Sequence, residues 1–518
     1  MREKVTRQAD GEESSTSWAR ALLFVSLFCV APALSFWATN APRGASGWKL
    51  LGIAAGTSCL GILILIALGR FLKLGRAAGL AAVGVFLMSN WQLIAGALPD
   101  VASLRSVPGD FVALAVASVL IGVVLRLGDR REFGLAVIVM AGVIIVPSLA
   151  GLSLWYLGDA VQPPIDRTSA PSLPDGRNDV YLVVVDGYAR ADVLRSMFSY
   201  ELDLDVFERH GLHVIADART GYSSTVASIS SMLTMSHVGT KGYRPTDRER
   251  AALHGIMGGA NPVVEAFTDA GYQYVHIESG WDGTRCGEAV DLCLDAGFID
   301  EASGILIERS IFSRWFQRRF GSAFTFNGLR ALEDLQVVSE TESQDPRFVF
   351  AHIPLPHPPM FLNRNCELVA DPKMAGGALG NPGLAGSALL ERRVDAYLQQ
   401  IECVNVRLGA FLDAVSDSDI VIITGDHGSD SAGQLSLQPG DWSADAVYER
   451  MSVLTALRIP GCDAVQGSNL MLPDLFRIVF ACLTGEDPIR AHPEMYIYPV
   501  DSSPGVVTEL EYTTAVDS

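Results

Sequence analysis

The hydrophobic pattern divides the chain near residue 159. Before it, five stretches carry no charged residue: 21–42, 50–69, 77–99, 111–125 and 133–158. A helix that crosses hydrocarbon needs about 20 predominantly apolar residues, so the four long stretches predict spans. The shorter one predicts a fifth over 110–127, with the Arg126 stem extended along the helix end. A cleavable leader is a poor reading of the first stretch, because four like it follow. Pro32 and Pro147 predict kinks, which membrane helices tolerate.

Beyond residue 179 the pattern shortens. β-Branched runs at 180–185, 212–216, 272–277, 348–353, 419–424 and 453–458 alternate with helical stretches at 191–199, 225–236, 388–415 and 473–484. Alternation of this kind predicts an α/β domain with a mostly parallel sheet between helix layers. Between the two regions, 160–179 holds Pro163, Pro164, Pro171 and Pro174 among Ser, Asp and Gly, and predicts a stiff, non-helical tether. The expected organisation is a membrane domain over 1–159, a linker over 160–179 and one domain over 180–518.

Charge gives this organisation a direction. The formal net charge of −19 divides into +4 for residues 1–159 and −23 for the remainder. With the N-terminus in the cytoplasm, Arg2, Lys4, Arg7, Arg20, Arg70, Lys73, Arg76, Arg126, Arg130 and Arg131 lie inside, and only Arg43, Lys49 and Arg105 outside. The positive-inside rule favours that orientation, and five crossings put everything after residue 159 outside. Four crossings with a cytoplasmic domain is the alternative, and it requires the short fourth stretch not to span. An acidic domain lacks the basic footprint of a nucleic-acid partner. Cys286, Cys293, Cys366, Cys403, Cys462 and Cys482 are even in number, as an oxidising compartment permits. Cys286 with Cys293 and Cys366 with Cys403 are the expected pairs.

The candidate chemistry gathers at strand ends, where ligands sit in open α/β sheets. The run 420–423 ends in Gly425-Asp426-His427-Gly428, and 181–185 ends in Asp186. Aspartate with histidine suits Zn²⁺ or Mn²⁺. The segment 219–233 runs from a glycine-containing loop into a helix that Thr225 would begin. Such an N-terminus stabilises an anion. Six Ser/Thr residues from Ser223 to Ser231 compete for a nucleophile's role, and an N-cap with packing hydroxyls would read the same. The stretch 348–361 carries His352, read as an ordinary residue, and His357 in a proline-fixed loop, where it would donate to an anion or a leaving group.

Together, Asp186, a Thr at a helix start, His-Ile-Pro-Leu-Pro-His-Pro-Pro and Gly-Asp-His-Gly resemble the alkaline phosphatase/sulfatase superfamily. Within it they look like its membrane-anchored, sulfatase-like proteins, the lipoteichoic acid synthases and lipid A phosphoethanolamine transferases. The resemblance implies a multi-pass protein of the bacterial inner membrane with its sulfatase-like domain outside the cytoplasm. It implies one divalent metal ion, Zn or Mn, held by Asp186, Thr225, Asp426 and His427. It selects Thr225 as nucleophile because Thr-x-x-Ser-x-x-x-Met matches Thr225, Ser228 and Met232, and it makes His357 the substrate-facing histidine. The implied reaction is phospho-transfer or hydrolysis on phosphate esters, with phospholipid head groups as substrate. The relatives often have Glu where Asp186 stands. No Cys/Ser-x-Pro-x-Arg stretch exists for conversion to formylglycine, so sulfate-ester hydrolysis is not expected. A catalytically silent membrane protein is the alternative from another class. A transporter is disfavoured by spans that carry no internal charge.

Overall fold

A computed structural model describes residues 2–96, 109–158, 170–174, 178–369, 387–431, 433–462, 469–490, 492–499 and 505–512. Most of the expected tether lies outside them. The chain forms two units, residues 1–159 with 302–317 and residues 160–301 with 318–518.

In the first unit the helices are α1 (Arg2–Asn40), α2 (Gly47–Leu68), α3 (Leu74–Gly96), α4 (Gly109–Leu127) and α5 (Arg131–Leu157). Each contains a segment long and apolar enough to cross a bilayer, the fourth included. Small residues let them approach: Ala77, Ala78, Ala81 and Ala82 pack with Val25 and Cys29, and a Cβ on Gly61 would stand 2.7 Å from Val25 Cγ1. Large apolar side chains such as Leu63, Val119, Leu135 and Leu154 point outward, as lipid-facing positions do.

The second unit is built on a seven-stranded sheet. Its strands are β1 (Val180–Val185), β2 (His213–Val214), β3 (Gln273–Ile277), β4 (Leu292–Leu294), β5 (Arg347–Ile353), β6 (Ile420–Gly425) and β7 (Thr455–Arg458), in the order β2-β7-β6-β1-β5-β3-β4. Neighbours from β6 to β4 are parallel, and β7 and β2 add antiparallel pairings at one edge. The central strands are buried on both faces, which is why they read as continuous apolar runs without alternation. One face packs on a layer that includes α7 (Thr225–Thr234) and a C-terminal helix over Leu475–Thr484. The other packs on α6 (Ala191–Phe198) and on helices over Ala323–Glu340 and Ser387–Ala414. Thus the observed fold is the expected one, five apolar helices followed by an α/β domain with a mostly parallel sheet.

Three disulfides close loops: Cys286–Cys293, Cys366–Cys403 and Cys462–Cys482. The first two are the expected pairs, and the third joins the cysteines left over.

Candidate active site

Register sets the site. Val185 pairs with Gly425 on one side and Ile353 on the other, so Asp186 and Asp426 leave neighbouring strands at the same level. Gly187 then turns with φ 78°, a left-handed conformation that glycine adopts without cost. Its N–H donates to Asp426 Oδ1 at 3.0 Å, and its carbonyl accepts from Tyr397 Oη at 2.7 Å. Gly425 and Gly428 are needed for close approach. Neither has positive φ; a Cβ on Gly425 would stand 2.5 Å from Tyr188 O, and one on Gly428 2.0 Å from Glu449 O.

His427 is the centre of the cluster. Its Nδ1–H donates to Gly428 O at 3.0 Å, which leaves Nε2 with its lone pair. Nε2 lies 3.4 Å from Asp186 Oδ1, 3.3 Å from Asp426 Oδ2 and 3.1 Å from Thr225 Oγ1. Burial, reinforced by the Arg450 charge, lowers the His427 pKa to about 4, so the ring is neutral near pH 7. Burial by itself would raise the Asp186 carboxyl, but the imidazoles of His357, His352 and His427 outweigh it and hold that pKa below the ordinary carboxylate range. Asp186 Oδ1 and Asp426 Oδ2 are buried without a hydrogen-bond partner. Two orphaned carboxylate oxygens beside a neutral imidazole nitrogen are what a divalent cation would satisfy. The only other group of this kind among the described residues is Glu278 with Cys286 and Cys293, whose thiols are already joined.

Thr225 opens α7, with Ser224 as N-cap in extended conformation. Its hydroxyl therefore stands among unpaired N–H groups at the positive end of the helix dipole. Ser228, one turn on, donates to Asp426 O at 2.7 Å and fastens the helix to the strand end. Ser223 and Ser224 Oγ are buried and unpartnered, beside the same turn. His357 sits farther out, its ring 6.4 Å from that of His427; its Nδ1 pairs with Pro358 O at 2.7 Å, which leaves Nε2 free of a protein partner.

His352 is not the ordinary residue it was taken for. It is fully buried in β5 with Nε2 3.6 Å from Asp186 Oδ2, and a histidine inside an apolar run gives no periodic signal of that. Glu449 and Arg450, at the end of a helix over Ala444–Met451, hold the loops around the site. Glu449 accepts from Ser429 Oγ at 2.5 Å and Ser431 N at 2.8 Å. Arg450 donates Nε–H to Ser223 O at 2.9 Å and Nη1–H to Gly428 O at 3.0 Å, so one buried guanidinium ties the Thr225 turn to the His427 loop. Two adjacent ionisable residues ahead of an apolar strand were the available signal.

No family model and no curated protein matches the chain. Its likeness is to solved sulfatases and phosphoethanolamine transferases. The integral membrane protein lipooligosaccharide phosphoethanolamine transferase A from Neisseria meningitidis is 11% identical with a TM-score of 0.35, over 91% of this chain and 96% of that one. The soluble domain of that transferase is 15% identical with a TM-score of 0.39, over 63% and 94%. A phosphonate monoester hydrolase of Agrobacterium radiobacter is 13% identical with a TM-score of 0.38, over 63% and 82%. At these identities and TM-scores the likeness assigns this chain no reaction, and the chemistry rests on the site itself.

Proposed function

We propose that the chain is a membrane-anchored, metal-dependent phospho-transferase or hydrolase acting on phosphate esters, with phospholipid head groups as substrate and Thr225 as nucleophile. The observation that carries this is the meeting of Thr225 Oγ1, at a helix N-terminus, with the lone-pair nitrogen of His427 and the two orphaned carboxylate oxygens. Asp186, Thr225, Asp426 and His427 would hold one divalent cation, Zn²⁺ or Mn²⁺. Bound there, the cation supplies positive charge that favours the ionised threonine hydroxyl and neutralises phosphate oxygens.

The chain's own residues do the rest. Thr225 Oγ1, its proton released to water as the hydroxyl ionises, forms a bond to phosphorus while the bond from phosphorus to the leaving oxygen breaks. N–H groups at the start of α7 stabilise the equatorial oxygens. His357, protonated at Nε2, gives that proton to the leaving oxygen. An acceptor hydroxyl or water then gives its proton to His357 Nε2 and takes the phosphoryl group from Thr225, whose oxygen regains a proton from water. With the catalytic domain outside the cytoplasm, anchoring keeps this chemistry beside lipid donors, a proximity effect.

Hydrolysis and transfer use the same residues and differ in the acceptor. One experiment tests the nucleophile and the metal site: the full-length protein is incubated with phospholipid and Zn²⁺ or Mn²⁺, and its peptides are then weighed. A head-group phosphate on Thr225 is the expected outcome, absent from Thr225→Ala, which should keep its metal and lose turnover by a factor of about 10³ or more. Asp426→Ala should lose the metal. Full metal content in Asp426→Ala would sink the ligand assignment, and native protein without bound metal would favour the silent reading.

A further inference from the structure

A segment of the second half of the chain belongs, by its contacts, to the membrane helices. Residues 302–317 group with 1–159. They include most of α8 (Glu301–Arg309) and the start of α9 (Ser313–Phe320). Ala302 and Leu306 pack with Ala45, Leu50, Ile53, Phe36 and Trp37. Arg309 lies over the Phe36 ring at 5.4 Å, Ile311 N–H donates to Met88 O at 2.8 Å, and Arg314 pairs with Asp110 at 2.7 Å. These partners come from the last turns of α1, the beginning of α2, the later part of α3 and the first residues of α4. All lie at one end of the bundle.

That end also carries an aromatic belt. Trp37, Trp48, Trp91 and Trp155 stand near the helix ends that meet there, with Trp48 well exposed. Tryptophan collects at the level of lipid head groups. Against this end, Ile311, Phe312 and Trp315 are 46%, 52% and 62% exposed, whereas Ser313 and Phe316 between them are buried. Trp315, Arg318 and Arg319, at helical spacing, share one face of α9, and Ile311 and Phe312 lie in the turn that leads into it. Residues 309–320 contain Arg309, Arg314, Arg318 and Arg319 and no acidic residue, inside a region whose net charge is −23. Exposed aromatics beside a basic cluster, on a helix held at the ends of membrane spans, fit one partner: the interface of a bilayer with anionic head groups.

We propose that residues 309–320 form an interfacial foot, with Ile311, Phe312 and Trp315 set at the boundary between head groups and acyl chains and Arg318 and Arg319 on anionic lipid phosphates. The foot rests on the membrane reading of α1–α5 and is independent of the active-site chemistry.

The test uses the full-length protein in nanodiscs of phosphatidylcholine, with or without phosphatidylglycerol, whose acyl chains are brominated. The Trp315 signal is the difference in fluorescence between the native chain and Trp315→Phe. Expected is quenching of that signal by brominated chains at least about twofold stronger than by aqueous iodide, greater with phosphatidylglycerol present. Arg318→Glu with Arg319→Glu should remove the phosphatidylglycerol dependence and leave quenching of Trp37, Trp48 and Trp155 unchanged. If brominated chains quench those three but not Trp315, the foot is overturned while the membrane helices stand. If they quench none, the membrane reading itself fails. Protection of Trp315 from both quenchers, rising with protein concentration, would assign the face to a protein contact and overturn the lipid assignment.

Discussion

At the residue scale, the site depends on groups that never reach a substrate. Arg450 is buried and spends its guanidinium on two carbonyls from different loops, Ser223 and Gly428. Lysine keeps the charge but offers no planar fork to span both. Arg450→Lys should therefore lose one contact, cost about 1.5–3 kcal/mol of stability and let the Thr225 turn drift from His427. The expected result is a fall in kcat with metal content intact, measured beside the unfolding midpoint. Unchanged kcat would mean that the Thr225 turn holds its place without Arg450. Glu449 accepts from Ser429 and Ser431, so the two neighbouring residues brace the same 428–431 loop that Arg450 ties to the Thr225 turn. Sequence could point to Asp426 and His427 because they end an apolar run between glycines. For Arg450 the signal is only its place beside Glu449 ahead of an apolar strand, and for His352 there is none, because the importance of both lies in partners far along the chain.

At the element scale, the strands and spans were legible because burial writes a simple pattern. The runs at 180–185 and 419–424 became β1 and β6 to within a residue, and the helix expected at 388–415 is Ser387–Ala414. The run at 212–216 shrank to His213–Val214, because an edge strand pairs only where β7 reaches it. The helix over Ala323–Glu340 escaped notice since its apolar positions are mixed with Thr, Asn and Gly on the same face. Close approach is equally invisible in sequence, and Gly428 is the instructive case. An alanine there would put a Cβ 2.0 Å from Glu449 O and 3.0 Å from Ser452 O, both backbone atoms that cannot rotate away. Gly428→Ala should destabilise the second unit by about 1–3 kcal/mol or more and displace His427, weakening metal binding. Gly440→Ala, where nothing lies within 4 Å, is the control and should leave the unfolding midpoint in place. Equal midpoints for the two variants would mean that the Gly428 turn shifts freely.

At the scale of the whole molecule, acid should weaken the second unit through two of its buried histidines. His237 and His276 are imidazoles kept neutral by the fold. Burial first, then the neighbouring His492, lowers the His237 pKa to about 4 in spite of Glu494 and Asp474. Burial first, then His352, lowers that of His276 to about 3. In the unfolded chain both return to the ordinary value of 6.5. Between the two values the unfolded state binds more protons, so stability rises with pH there. The contribution of each ring is complete above pH 6.5 and is lost as pH falls toward 4 for His237 and 3 for His276. With about 1.4 kcal/mol per pKa unit, His237 alone accounts for roughly 3 kcal/mol over that window. Full-length protein freed of metal, followed by thermal unfolding from pH 7 to pH 4, should lose stability from about pH 6.5 downward. Removing the metal takes its own pH-dependent release out of the measurement. In His237→Gln the slope over the same range should be smaller, because a group that cannot be protonated no longer favours the unfolded chain. Identical slopes in the native chain and the variant would assign the loss to other groups, His276 first among them.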